Sequence, residues 1–157
     1  VDWSPLWLTK ELYAPLYLGG LGLIFYSLGG IGANLFSNQL IKIFSEKTVA
    51  SIFVIIGSSI LLLSIITMNI YLIMIALLFY GFFIANFVPL VIRQAVKQSN
   101  ESIPTTVVNI TTIGFSSTLF APAAIGFVAE KLSLTINMYA LCIIVFVAGI
   151  IMFVNFK

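Results

Sequence analysis

The chain has 157 residues, of which 61% are hydrophobic and 8% charged, with a formal net charge of +2 and no histidine. Soluble domains carry about 25% charged residues, so the composition argues against an ordinary water-exposed surface, and the small charge without a basic run argues against nucleic-acid binding. The missing histidine removes the commonest metal ligand and general base, while the single Cys142 lies in an apolar run and supplies neither a disulfide framework nor a thiolate metal site.

Residues 1–14 read as an external, interfacial segment. Trp3, Trp7 and Tyr13 are belt-type aromatics, Pro5 and Pro15 punctuate the stretch, and Asp2 or Ser4 is placed to cap a short helix. Five apolar runs follow, at residues 16–40, 49–67, 71–91, 105–128 and 136–153, and none contains Lys, Arg, Asp or Glu. A bilayer core of about 30 Å needs roughly 20 helical residues, so each run is close to a transmembrane length. The expected fold is an all-α membrane protein with five transmembrane helices in a single domain over residues 1–157.

The runs differ in kind. Runs 49–67 and 136–153 are nearly uniform Ile, Leu, Val and Phe, which suits lipid-facing helices. The first run carries Gly19, Gly20, Gly22, Gly29, Gly30 and Gly32 together with Ser27, Asn34, Ser37 and Asn38. The third carries Gly81, Asn86 and Pro89, and the fourth a series of Thr, Ser and Asn around Pro122. Ser27, Gly30, Asn34 and Ser37 share one helical face, as do Thr105, Asn109, Thr112 and Ser116. Two readings stay open for these stripes. They either glue helices together, at about 0.6 kcal/mol per hydrogen bond, or line a water-filled cavity. The cavity reading names Asn34, Asn109, Thr112 and Ser116, with Tyr26 and Asn86 as neighbours. Gly29-x-x-x-Ala33 marks close packing, and Pro89 and Pro122 mark bends.

Loop charges give an orientation. Lys42, Lys47, Arg93, Lys97 and Lys157 fall on one side and Lys10 and Lys131 on the other. Basic residues are retained in the cytoplasm, so the expected topology has the N-terminus outside and the C-terminus inside a cytoplasmic membrane. With a first helix entering from outside after Val1, the expectation is a fragment of a larger protein. The Asn100-Glu-Ser102 sequon lies on the expected inner side and is discounted as a glycosylation site.

Chemistry is sparse. No histidine accompanies a serine nucleophile, no histidine pair could hold zinc, Cys142 has no activating neighbour, and the five carboxylates are isolated. No enzyme activity, metal or cofactor is expected. A channel would show a filter loop or a charge ring, and neither is visible. A transporter and a structural or assembly subunit remain.

Several segments resemble the major facilitator superfamily, in its sugar-permease-like branch. Asp2-Trp3-Ser4 and the following Gly-rich helix resemble the start of that family's eighth-helix region. Residues 33–45 resemble its loop signature Gly-Arg-x-x-Gly-Asp-Arg-x-x-x-Arg-x-Gly in degraded form. Asn38 stands for the Asp, Asn34 and Gln39 for Arg positions, and Lys42 alone keeps basic character. Gly81 to Pro89 with Arg93 resembles the tenth helix. Gly114 and the run Ala121-Pro122-Ala123-Ala124-Ile125-Gly126-Phe127-Val128-Ala129-Glu130 resemble the eleventh.

The resemblance implies helices eight to twelve of a twelve-helix protein, a partial major-facilitator-type bundle whose N-terminal half lies elsewhere. It implies peripheral places for runs 49–67 and 136–153, and structural roles for Gly29, Gly30, Pro89, Gly114, Pro122 and Gly126. The implied function is alternating-access transport of a small polar solute between two halves. Asn and Thr side chains suit a neutral sugar or polyol, because both donate and accept hydrogen bonds. With Asn38 in place of the Asp, the charge that helps join the halves is absent. No intramembrane carboxylate is present as a proton carrier. The partners expected are the lipid bilayer, the solute and the missing half, with no nucleic acid; the alternative is a non-transporting membrane scaffold.

Overall fold

Caps and prolines set most of the helix ends in the computed structural model, which describes residues 3–156. The elements are α1 (Ser4–Lys10), α2 (Leu16–Leu35), α3 (Ser37–Ala50), α4 (Ile52–Thr67), α5 (Ile70–Ile84), α6 (Phe87–Gln98), α7 (Ile103–Lys131) and α8 (Leu134–Asn155). The described residues contain no strand. Side-chain oxygens accept from first-turn N–H groups at three helix starts: Asn69 from Tyr71 and Leu72, Ser102 from Thr105, and Ser133 from Ile136. Met68, in the left-handed region at φ 51°, ends α4.

Four helices are long and apolar enough to cross a membrane: Leu16–Leu35, the near-continuous Ile70–Gln98, Ile103–Lys131 and Leu134–Asn155. A fifth span arises if the bent pair α3 and α4 counts as one. The protein is therefore an all-α, multi-pass membrane protein by length and composition.

The element boundaries correct the expected ones in several places. Run 16–40 is not one helix, because α2 ends at Leu35 and Phe36 leaves helical geometry at φ −100°, ψ 9°. The chain from Ser37 to Ala50 forms the polar-rich α3, which is kinked where Ser45 leaves helical geometry at φ 70°, ψ 155°, and α3 meets α4 at a bend of 70°. Run 71–91 divides at Ala85 and Asn86. Pro89 explains that position, since it lacks the N–H that would bond to the Ala85 carbonyl four residues back. It occupies the first turn of α6, where a missing N–H costs least. Pro122, by contrast, lies inside an unbroken α7. Runs 105–128 and 136–153 extend by a few residues at each end, because their caps lie in the polar loops outside the apolar stretch.

Residues 3–14 also differ from expectation. Trp3 is the N-cap of α1 without a side-chain bond, and Ser4 is buried inside the helix rather than capping it. Asp2 lies outside the described residues. Trp7 is fully buried, not a belt residue, because α1 folds back onto α2 and α8. Its indole N–H donates to Thr135 Oγ1 at 2.8 Å.

The packing order is the largest correction. The expectation that run 49–67 is peripheral fails: α4 lies between α5 and α8 and buries Phe53, Val54, Gly57, Ser58, Leu61, Ser64 and Ile65. In a membrane, apolar side chains do not distinguish a protein neighbour from lipid. Close backbone approach decides, and small residues permit it. Gly57 admits the Phe83 side chain and Gly149 of α8 admits Ile55. The outermost long helix is instead α7, with one buried residue, Thr106. The main interface joins α2 to α5, where Gly29 and Ala33 are both buried, as the small-x-x-x-small pair predicts.

Candidate functional site

Two helix interruptions meet at one polar junction. The α2–α3 break at Phe36 and the α5–α6 break at Asn86 are tied by side chains: Ser37 Oγ donates to Asn86 Oδ1 at 2.7 Å, and Asn86 Nδ2 donates to the Ala33 carbonyl at 3.4 Å. Asn86 is buried, so its amide needs these partners. Just inside the junction the two backbones come closest, with Gly29 against Leu78 and Phe82, and Gly81 against Tyr26. Gly30 faces Ala85 more loosely, at 3.9 Å from a notional Cβ. The half-buried Tyr26 ring lies 6.0 Å from that of Tyr80.

Replacing Asn86 with Ala is expected to cost about 1–2 kcal/mol, because Ser37 and the Ala33 carbonyl lose a buried partner. Ser37→Ala is expected to cost about 0.6 kcal/mol. Both are read from thermal unfolding in detergent, and an unchanged transition for Asn86→Ala would remove the junction from the fold's supports.

The polar face of α7 is different in character. Asn109, Thr112 and Ser116 are all exposed. Asn109 Nδ2 donates to Glu101 Oε2 at 3.1 Å, so it turns toward the loop before α7. Ser116, Ser117 and Thr118 donate to carbonyls of their own helix at 2.8, 3.0 and 2.7 Å. The helix is anchored near its ends: Thr106 Oγ1 donates to Ser99 Oγ at 2.9 Å, and Asn137 of α8 donates to the Ile125 carbonyl at 3.0 Å. Between the anchors, an apolar groove of about 430 Å³ separates α6 from α7, lined among others by Phe87, Val91, Ile110 and Phe115. Gly114 has nothing within 4 Å of a notional Cβ, and Gly126 has only the edge of Trp3 at 3.8 Å.

Asn34 is also exposed, and Ser27 donates to the Leu23 carbonyl at 2.8 Å. The two expected stripes pack on different elements. The main neighbours of α2 are α5 and α1, while α7 rests on α6 and α8. Of the expected residues, Asn86 sits in a buried polar contact between helices, together with Ser37.

A charged cluster marks one end of the bundle. Glu46 of α3 accepts from Arg93 Nη1 and Lys97 Nζ of α6, each at 2.7 Å. The hydrogen bond from Lys97, helped by the charge of Arg93, holds the Glu46 carboxyl below its ordinary range. A lowered carboxyl pKa adds stability above the ordinary range and loses it as pH falls through the lowered value, though pairs this exposed contribute little. At the opposite end, the Glu11 carboxylate accepts from the backbone N–H groups of Leu134 and Thr135 and from Thr135 Oγ1. Sequence reasoning missed both clusters. The i, i+4 spacing of Arg93 and Lys97 was a local signal for the first; the second joins residues over 120 positions apart and had none.

Among the described residues, no three His, Cys, Asp or Glu side chains converge on a metal-sized site. Comparisons with protein-family models, curated proteins and solved structures give no match for this chain.

Proposed function

We propose that this chain is part of a secondary transporter that carries a small, uncharged polar solute, a sugar or polyol, across a cytoplasmic membrane by alternating access. The observation that carries this reading is α7, a helix of membrane-spanning length with one buried residue and an exposed row of Asn109, Thr112 and Ser116. A row of this kind is unfavourable against lipid and suits a cleft shared with another helical body. The reading requires such a body, from the same polypeptide or another chain. The resemblance of residues 114–130 to the eleventh helix of major facilitator proteins supports it, and rests on those motif residues alone.

A second reading is a non-transporting membrane scaffold. It is favoured by the self-bonded hydroxyls of Ser116, Ser117 and Thr118, which satisfy their donors without water. Cysteine accessibility separates the two. In a Cys142→Ala background, Ser116→Cys is expected to react with a membrane-impermeant maleimide, and Ile143→Cys, on the exposed apolar face of α8, is not. Ser45→Cys and Ser133→Cys should label from opposite faces, with Ser45 cytoplasmic because the basic excess lies there. Asn109→Ala should lower solute uptake about tenfold, as expected when one hydrogen bond to the bound solute is lost, and Ile143→Ala should leave it unchanged. A dry position 116 beside a wet position 143 would replace the transporter reading with the scaffold.

A further inference from the structure

We propose that the end of the bundle carrying Lys42, Lys47, Arg93 and Lys97 is a docking surface for anionic phospholipid headgroups, with α3 lying along the membrane interface. This does not depend on the transport reading.

Three observations converge on it. First, α3 leaves the bundle direction, since it meets α4 at 70°. Its composition is mixed on both sides of the kink at Ser45: Lys42 precedes the kink beside Ile43 and Phe44, both exposed, and Glu46 and Lys47 follow it. Basic residues beside exposed apolar and aromatic ones are what an interfacial helix presents to a bilayer.

Second, the charge is arranged outward. Arg93 and Lys97 are 56% and 53% exposed, while the carboxylate that gathers them, Glu46, is 23% exposed. Two cations are thereby held together, at the cost of one anion tucked beneath them. Lys47 is fixed nearby, with Nζ 4.6 Å from the Phe153 ring centre. Glu101, the other carboxylate at this end, accepts from Asn109.

Third, the two ends differ. Here four cations face two carboxylates. Among the described residues of the opposite end, Lys10 and Lys131 are balanced by Glu11 and Glu130, and Glu11 is committed to the start of α8. A phosphodiester headgroup supplies the charge complement that the first end lacks, and the leaflet in which α3 would lie presents such groups at high density. The attraction of clustered Lys and Arg to an anionic headgroup is electrostatic and is screened by salt.

The test uses the whole chain reconstituted in phosphatidylcholine vesicles, with spin-labelled phosphatidylglycerol or spin-labelled phosphatidylcholine as probes. The fraction of each probe immobilised by the protein gives their relative association. Phosphatidylglycerol is expected to be preferred several-fold at low salt, and the preference should fall toward parity in molar salt. The Lys42→Gln, Lys47→Gln double variant should lose at least about half of it. A variant that also carries Glu46→Gln, Arg93→Gln and Lys97→Gln, which keeps amides in place of the ion pairs, should lose it entirely. The Lys10→Gln, Lys131→Gln variant should keep it. No preference in the parent protein, survival in the five-site variant, or equal loss in the opposite-end variant would each overturn the proposal; circular dichroism of every variant checks that the helices are retained.

Discussion

Placing a methyl group at Gly29 or Gly81 is expected to separate α2 from α5 and lower stability by about 3 kcal/mol or more, at the upper end of what overpacking costs. A Cβ on Gly29 would stand 1.9 Å from the Leu78 carbonyl oxygen and 2.8 Å from the Phe82 nitrogen. One on Gly81 would stand 2.0 Å from the Tyr26 carbonyl oxygen. These are backbone atoms of a helix, so no rotamer change relieves the clash and one helix must move. Each glycine meets the other helix near its partner, so the two form a single crossing. Because the Asn86–Ser37 junction lies about one to two turns beyond it, separation at the crossing breaks those hydrogen bonds too. Gly114→Ala provides the comparison. With nothing within 4 Å, it should be neutral or gain up to about 1 kcal/mol from helix propensity. Thermal and dodecyl-sulfate unfolding followed by circular dichroism checks all three, and similar transitions for Gly29→Ala and Gly114→Ala would show that the crossing does not hold the bundle.

The crossing also shows what could be read from sequence and what could not. Gly29-x-x-x-Ala33 announced a close contact on α2, because a small-residue pair has few other uses in a membrane helix. It did not say which helix came close. Helical class was legible because a charge-free run near 20 residues has one stable form in hydrocarbon; the span number is four, or the expected five only if the bent pair α3 and α4 counts as one. Helix ends inside the apolar runs were not: Phe36 and Ala85 lie within hydrophobic stretches, and only Pro89 hinted at the second break.

Burial was read least well, and α4 and α7 explain why. In water, an apolar face identifies the core, since exposure is penalised. In a bilayer that penalty is absent, so the uniform Ile and Leu of α4 fit a central position as well as a peripheral one. Gly57 and Gly149 carried the relevant information, through the side chains that they admit. For α7 the polar residues were legible and their surroundings were not. Hydroxyls can bond to carbonyls of their own helix, as Ser116 does to Thr112, so a Ser or Thr stripe does not by itself imply a neighbour or a cavity. The candidate site was thus legible as a set of residue types. Asn86 was drawn into a buried contact, between Ser37 and the Ala33 carbonyl.

Glu11→Ala is expected to cost about 2–3 kcal/mol, the most of any single polar change in the protein. The first N–H groups of a helix have no partners within it, and at the start of α8 Glu11 supplies acceptors to two of them, Leu134 and Thr135, while Ser133 takes Ile136. A negative charge there is also favoured by the helix dipole, and hydrogen bonds to charged groups are worth about 1.5–3 kcal/mol. Water at this end of the bundle recovers part of the loss, which keeps the expected figure below the sum of the bonds. The carboxylate has a second task. Helix α1 is seven residues long, too short to persist alone, and Glu11 follows its last residue, so the cap pins α1 to α8. Trp7 adds the 2.8 Å bond to Thr135 and can stay buried only while α1 is held. The loss should therefore appear in two signals, an earlier unfolding transition and a red-shifted tryptophan emission as Trp7 meets water. Glu11→Gln, which keeps one acceptor oxygen without the charge, should fall between the parent and Glu11→Ala in both. Unchanged stability with unshifted emission in Glu11→Ala would mean that α1 is held by its apolar contacts alone.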